Sequence, residues 1–195
     1  MKIILHRINK REVLRSTPQE FGVEVDIRSY GDDLVIHHEP FLKGELFNEW
    51  IEDFNHGTLI LNVKEEGLEE RLLKIMDDHD IEDFFFLDQS FPFLRKSAMM
   101  GESRCAVRIS EYESIETALS LSGMVEWVWV DCFSHFPLMG DEVKKLQEIG
   151  FKLCFVSPEL QGRTNKSHIV EFRKEIELQN IYGDAVCTKY PELWE

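Results

Sequence analysis

The sequence predicts an α/β protein, a small (β/α)8 TIM barrel with a β-hairpin insertion after the second strand. Three observations carry this. Short apolar runs alternate with helix-like stretches along the chain, most of the runs are too apolar to have a wet face, and charged residues recur at their carboxyl ends. Alternating strands and helices call for a mostly parallel sheet covered by helices.

The strand candidates are Lys2 to His6, Gly22 to Arg28, Leu34 to His38, Thr58 to Lys64, Phe84 to Asp88, Cys105 to Ile109, Glu126 to Phe133, Phe151 to Val156 and Asp184 to Thr188. If Leu34 to His38 returns from a hairpin turning at Tyr30-Gly31-Asp32-Asp33, eight main strands remain, the number a barrel requires. Leu68 to Asp80 carries apolar residues at helical spacing, and Ile115 to Ser122, Asp141 to Ile149 and Lys166 to Gln179 are similar. A doubly wound sheet is the alternative, but His6-Arg7-Ile8-Asn9 follows the first strand where that fold has a glycine-rich loop.

At 195 residues, with no Pro/Gly/Ser-rich linker, the chain reads as a single domain over residues 1–195, able to bury roughly 70% of its unfolded surface. Thirty-seven acidic against 22 basic residues give a formal net charge of −15, which repels phosphate backbones and anionic lipid surfaces. No nucleic-acid partner and no stable membrane insertion are expected. Cys105, Cys132, Cys154 and Cys187 lie far apart inside apolar runs, the pattern of buried reduced thiols. With no signal-peptide core after Met1 and no span-length apolar stretch, a cytoplasmic protein is expected.

In a parallel barrel the site lies at the carboxyl ends of the strands, so the charges there are the ones to weigh. The first strand ends in His6 and Arg7. Glu24 and Asp26, two apart, share one face of a buried strand, which is costly unless a cation offsets them; a hard divalent metal with oxygen ligands does so. His37-His38-Glu39 ends the hairpin, Asn62-Val63-Lys64 the next strand, and Asp88, Arg108 and Asp131 the three after it. Taken alone, Asp88 or Asp131 reads as a solvated or helix-capping carboxylate. His56, His79, His135 and His168 read as surface residues.

Together these residues resemble the glycerophosphodiester phosphodiesterase family, within the phospholipase-C-like phosphodiesterase barrels. The resemblance rests on His6-Arg7, Glu24-x-Asp26, the apolar run ending in His38-Glu39, Asn62-Val63-Lys64 and Thr188-Lys189-Tyr190-Pro191. It spans the chain, with its detail in the first 64 residues.

The resemblance implies a metal-dependent phosphodiester hydrolase acting on a small-molecule diester. Glu24, Asp26 and Asn62 would be metal ligands, with Mg or Ca as the metal. His6 and His38 would be the general acid and base, and Arg7, Lys64 and Arg108 would bind the substrate phosphate. His37 competes with His38 but has the opposite strand parity. Departures mark a divergent branch: Asn62 replaces the third acid, Ile8 a glycine and Lys189 an aspartate, and Lys10 to Gln19 lacks the Glu-Asn-Thr element. Two other outcomes use the same residues, a barrel without turnover that binds a phosphorylated ligand and a lyase forming a cyclic phosphate.

Overall fold

A computed structural model describes residues 1–195. Its centre is a curled parallel sheet of eight strands: β1 (Lys2–Leu5), β2 (Gly22–Tyr30), β5 (Leu59–Val63), β6 (Phe84–Leu87), β7 (Ala106–Ile109), β8 (Trp127–Val130), β9 (Lys152–Val156) and β10 (Ala185–Thr188). Parallel ladders join β6–β5–β2–β1–β10–β9–β8–β7. The ends of that curl, β6 and β7, meet in one parallel bridge, Phe86 to Cys105.

β2 outruns its parallel neighbours and pairs antiparallel with β3 (Asp33–Ile36), which in turn pairs with β4 (Glu45–Leu46). Gly31 makes the connecting turn at φ 63°, a conformation a side chain disfavours. At the other end of β2, Gly22 is required by space, because a Cβ there would stand 2.5 Å from the Thr58 carbonyl oxygen.

Helices follow the strands: α1 (Arg11–Ser16), α2 (Phe47–Ile51), α3 (Glu69–Asp78), α4 (Phe91–Met99), α5 (Ile115–Leu119), α6 (Gly140–Glu148) and α7 (Lys166–Leu178). α3, α5, α6 and α7 lie where the apolar spacing predicts them. No helix is long and apolar enough to cross a membrane. The four cysteines are free and buried, as expected.

The two-residue period of the strands sorts side chains into two cores. Outward-facing residues such as Val23, Val25, Leu59, Leu61 and Phe86 pack beneath the helices. The inward set, Ile4, Ile60, Phe85, Ala106, Trp127, Trp129, Cys154, Ala185 and Cys187, is a separate apolar cluster in which Phe85 stacks on Trp127 at 4.6 Å between ring centroids. Continuing four of these inward columns toward the carboxyl end gives polar positions, while Phe85 and Cys154 lead to the apolar Leu87 and Val156. Ile4 leads to His6, Ile60 to Asn62 and Lys64, Ala106 to Arg108, and Trp129 to Asp131. An apolar plug thus floors a polar mouth.

Two expectations need correction. β3 ends at Ile36, so His37 and His38 lie beyond the strand and its parity does not decide between them. α1, α2 and α4 are absent from the sequence reading; α1 and α2 are only six and five residues long, although α2 buries Phe47, Trp50 and Ile51 at helical spacing.

Candidate functional site

The mouth holds a cavity of about 170 Å³ whose walls include His6, Arg7, Glu24, Asn62, Lys64, Asp88, Arg108 and Asp131. Six of the sequence-predicted site residues, His6, Arg7, Glu24, Asn62, Lys64 and Arg108, therefore line one space. Asp26 stands directly behind them, fully buried, in contact with Arg7 and Lys64. His38 does not line the cavity.

The β1 end builds the first wall. Arg7 has φ 57°, which turns its N–H onto Glu24 Oε2 at 2.7 Å. The following Ile8 donates its N–H to the Glu24 carbonyl, buries its side chain in the outer core and has its carbonyl held by Trp50 Nε1 at 3.0 Å. A large residue therefore fits where the resembled family has glycine. The next residue, Asn9, clamps Asp26, donating to its carboxylate at 2.8 Å and accepting its N–H at 3.1 Å.

Glu24 and Asp26 are both fully buried on one face of β2, as the spacing predicts. Glu24 Oε1 accepts from Asn62 Nδ2 at 2.8 Å, and His6 Nε2 lies 3.9 Å from Oε2. Burial first, and the neighbouring Asp26 charge second, push the Glu24 carboxyl up to about 7. Asp26 is offset by Arg7 at 3.5 Å and Lys64 at 3.4 Å. Burial, reinforced by the Arg7 charge, pushes the His6 imidazole down to about 3, so it is neutral and able to accept a proton.

Three buried polar atoms of this wall have no hydrogen-bond partner: His6 Nδ1, Asp26 Oδ1 and Asn62 Oδ1. Unpaired buried acceptors cost free energy unless something else satisfies them. No three His, Cys, Asp or Glu side chains converge as a ligand set. The oxygen set on offer is instead two carboxylates and an amide; Asn62 Oδ1 accepts no hydrogen bond, and Asp26 Oδ1 has only the Lys64 ammonium, 3.4 Å away. That is hard-donor chemistry, suited to Mg or Ca rather than to a softer metal.

The opposite wall is a chain of ion pairs. Lys64 Nζ donates to Asp88 Oδ2 at 3.0 Å; Arg108 joins Asp88 on one side to Asp131 on the other; Gln161 donates to the second oxygen of Asp131. Burial would raise Asp88, but the charges of Arg108 and Lys64 outweigh it and hold the carboxyl below its usual range. Asp131 is buried more deeply, and there burial wins over Arg108 and lifts it to about 6. Singly, these charges read as solvated strand ends; the register of neighbouring strands joins them.

His38 lies on the β3–β4 connection at the rim. Its carbonyl accepts from Arg28 Nε at 3.0 Å and Nη2 at 2.9 Å, and its Nδ1 meets Glu39 Oε1 at 2.7 Å, which leaves Nε2 free. Across the mouth, Glu159 accepts from Thr188 Oγ1 at 2.7 Å and from the Lys189 N–H at 2.9 Å, setting the Thr188-Lys189 turn. Neither Glu159, Asn9 nor Gln161 stands out in the sequence. Of the three, Asn9 alone carries a signal, its place three residues after His6.

No family model and no curated protein matches the sequence. Solved structures do match the fold. A glycerophosphodiester phosphodiesterase from Agrobacterium tumefaciens superposes with TM-score 0.67 at 11% identity, over 100% of this chain and 98% of that one. A glycerophosphoryl diester phosphodiesterase from Parabacteroides distasonis gives TM-score 0.69 at 15% identity, over 98% and 84% of the two chains. A tryptophan synthase α-subunit from Pyrococcus furiosus is more distant, with TM-score 0.53 at 10% identity over 95% and 85%. The chain thus has the fold of the glycerophosphodiester phosphodiesterases, the family its strand-end motifs resemble.

Proposed function

We propose that this protein is a metal-dependent phosphodiester hydrolase built as a small (β/α)8 barrel. One observation carries the reading: His6, three cations and Glu24, with Asp26 buried directly behind, converge on one small cavity at the carboxyl ends of the strands. A cavity of about 170 Å³ is below the usual size of a small-molecule pocket, and holds a phosphoryl group rather than a whole ligand.

Arg7, Lys64 and Arg108 bind and orient the phosphoryl oxygens and offset their charge. An incoming anion also favours protonation of His6, raising its affinity for the proton it takes from the attacking oxygen. His38, steered by Glu39, delivers a proton to the leaving alkoxide from the rim. Glu24, Asp26 and Asn62 are the residues that would hold a divalent cation, which when bound supplies further positive charge to the nonbridging oxygens. Asn62 contributes no charge, so this chain holds the cation more loosely than three carboxylates would.

The test is hydrolysis of bis(p-nitrophenyl) phosphate with Mg or Ca. Turnover is expected to disappear with a chelator and to fall about 100-fold in both His6→Ala and His38→Ala, the scale of a lost general acid or base. Equal rates in the wild type and both variants would overturn the assignment.

A further inference from the structure

The cations at the mouth are not equally free. Arg7 and Lys64 both approach Asp26, Lys64 also holds Asp88, and Arg108 is shared between Asp88 and Asp131. Each faces the cavity with part of its charge already answered. A fourth cation stands beside them with no carboxylate of its own.

That cation, Lys189, is placed by the ladder between β1 and β10. Leu5 is paired with Thr188, and the His6 N–H donates to the Thr188 carbonyl at 3.0 Å, so the next residues on the two chains, His6 and Lys189, leave the barrel side by side. The inward column of Ala185 and Cys187, continued by two residues, reaches Lys189 as the column of Ile4 reaches His6. The Lys189 N–H donates to Glu159 Oε1 at 2.9 Å, an oxygen that also accepts from Thr188 Oγ1, while Ser157 Oγ donates to Oε2. Both oxygens of this buried carboxylate are thus spent on the turn. The Lys189 side chain itself is exposed. Its charge reaches His6, where burial first, the Arg7 charge second and Lys189 third hold the imidazole down.

Lys189 is not a wall of the 170 Å³ cavity. It lies outside the space that a phosphoryl group fills, so what it meets is a group esterified to the phosphate. An ammonium there would be repelled, and an alkyl group would gain nothing from an exposed charge. A carboxylate or phosphate would give the ammonium the partner it lacks. With a formal charge of −15 the rest of the chain repels such a group, so a local cation decides whether it is accepted. The sign of charge at this point of the rim is also the reverse of the aspartate in the resembled family.

We propose that Lys189 is a specificity-determining residue, and that it selects a diester with one ester substituent bearing its own oxyanion, a carboxylate or a phosphate. The position of the scissile phosphate rests on the hydrolase reading above. The unpaired ammonium beside His6 does not.

The experiment has two arms. In the first, kcat/KM is compared for p-nitrophenyl diesters that differ only in the second substituent: n-butyl, 3-carboxypropyl or 2-phosphoethyl. At low ionic strength the wild type is expected to prefer at least one charged diester to the butyl diester by about 5-fold, the scale of an exposed ion pair, and high salt to shrink the preference. The preferred one tells carboxylate from phosphate. Lys189→Met is expected to erase the preference, Lys189→Asp to invert it and Lys189→Arg to keep it. A residue that only tunes His6 would change all three diesters alike and leave their ratios standing, which would overturn the proposal. In the second arm, n-butyl phosphate, 3-carboxypropyl phosphate and 2-phosphoethyl phosphate are titrated calorimetrically. The wild type is expected to bind at least one doubly charged ligand more tightly than the butyl ester, and Lys189→Met to lose the difference.

Equal use of all three diesters by an active wild type, or a preference for p-nitrophenyl phosphorylcholine over the butyl diester, would overturn the proposal and leave the hydrolase reading intact. Hydrolysis of no diester, with a binding difference that Lys189→Met removes, would sustain the anion site and overturn the hydrolase reading. Neither turnover nor a binding difference would overturn both.

Discussion

The two walls of the mouth hold similar numbers of charges and treat them differently. On the β1–β2–β5 side the carboxylates are fully buried, Asn62 Oδ1 and His6 Nδ1 have no hydrogen-bond partner, and Asp26 Oδ1 has only the Lys64 ammonium, 3.4 Å away. On the β6–β7–β8 side Asp88, Arg108, Asp131 and Gln161 form a continuous chain in which each charge meets its opposite or a donor. A wall with unpaired polar atoms thus stands beside one whose charges are paired, and the pairs with Asp88 and Asp131 hold Arg108 in place at the mouth.

The strongest way to break this contrast is Arg108→Met. It leaves Asp131 buried without its cation and removes a partner of Asp88, so a loss of about 3 kcal/mol in unfolding free energy is expected by chemical denaturation. A loss no larger than that of a surface substitution would mean that the chain of pairs does not brace the mouth.

Asn62→Glu sharpens the other side of the comparison. A third carboxylate beside Glu24 and Asp26 is expected to lower the melting temperature without metal and to enlarge its rise with added Mg or Ca, because charge repulsion and metal affinity grow together. An unchanged metal response would place Asn62 outside any cation site.

The smallest expected effect is a pH dependence. Asp131 binds its proton more tightly folded, at about 6, than unfolded, where the carboxyl has its ordinary value of 3.8. Its contribution therefore favours folding below pH 3.8 and is lost as pH rises through 6. Asp131→Asn is expected to flatten the stability profile across that interval, measured by denaturant midpoints at several pH values; an identical slope in both proteins would contradict it.

Why one wall was readable and the other was not follows from how each is encoded. Glu24 and Asp26 lie two apart in an apolar strand, so the period of a strand alone places them together and marks them as costly. Asp88, Arg108 and Asp131 are 20 and 23 residues apart, and nothing local says that they touch; the parallel register does. The eight parallel strands were legible because burial on both faces leaves continuous apolar runs. Helix α4, which opens on Phe91-Pro92-Phe93, was not, since its apolar residues follow no clean helical period. The histidine pair shows the limit of periodicity: His6 continues a strand column, whereas His38 sits past the end of β3, where alternation has no meaning.

The single bridge between β6 and β7 also bears on how the chain could be divided. Gly101, in the connection between α4 and β7 at φ 92°, precedes the break, and the chain on either side supplies β1 to β6 or β7 to β10. Fragments 1–101 and 102–195 would each keep their own parallel ladders and would meet along the four-residue register of β1 with β10, Lys2 to Leu5 against Ala185 to Thr188. Noncovalent reassembly of such fragments would then join that edge, the shared inner core in which Phe85 stacks on Trp127, and the Asp88–Arg108 pair. The wall that binds Glu24 to Asn62 would fold entirely within the first fragment, and the mouth beside Arg108 would exist only once both had joined.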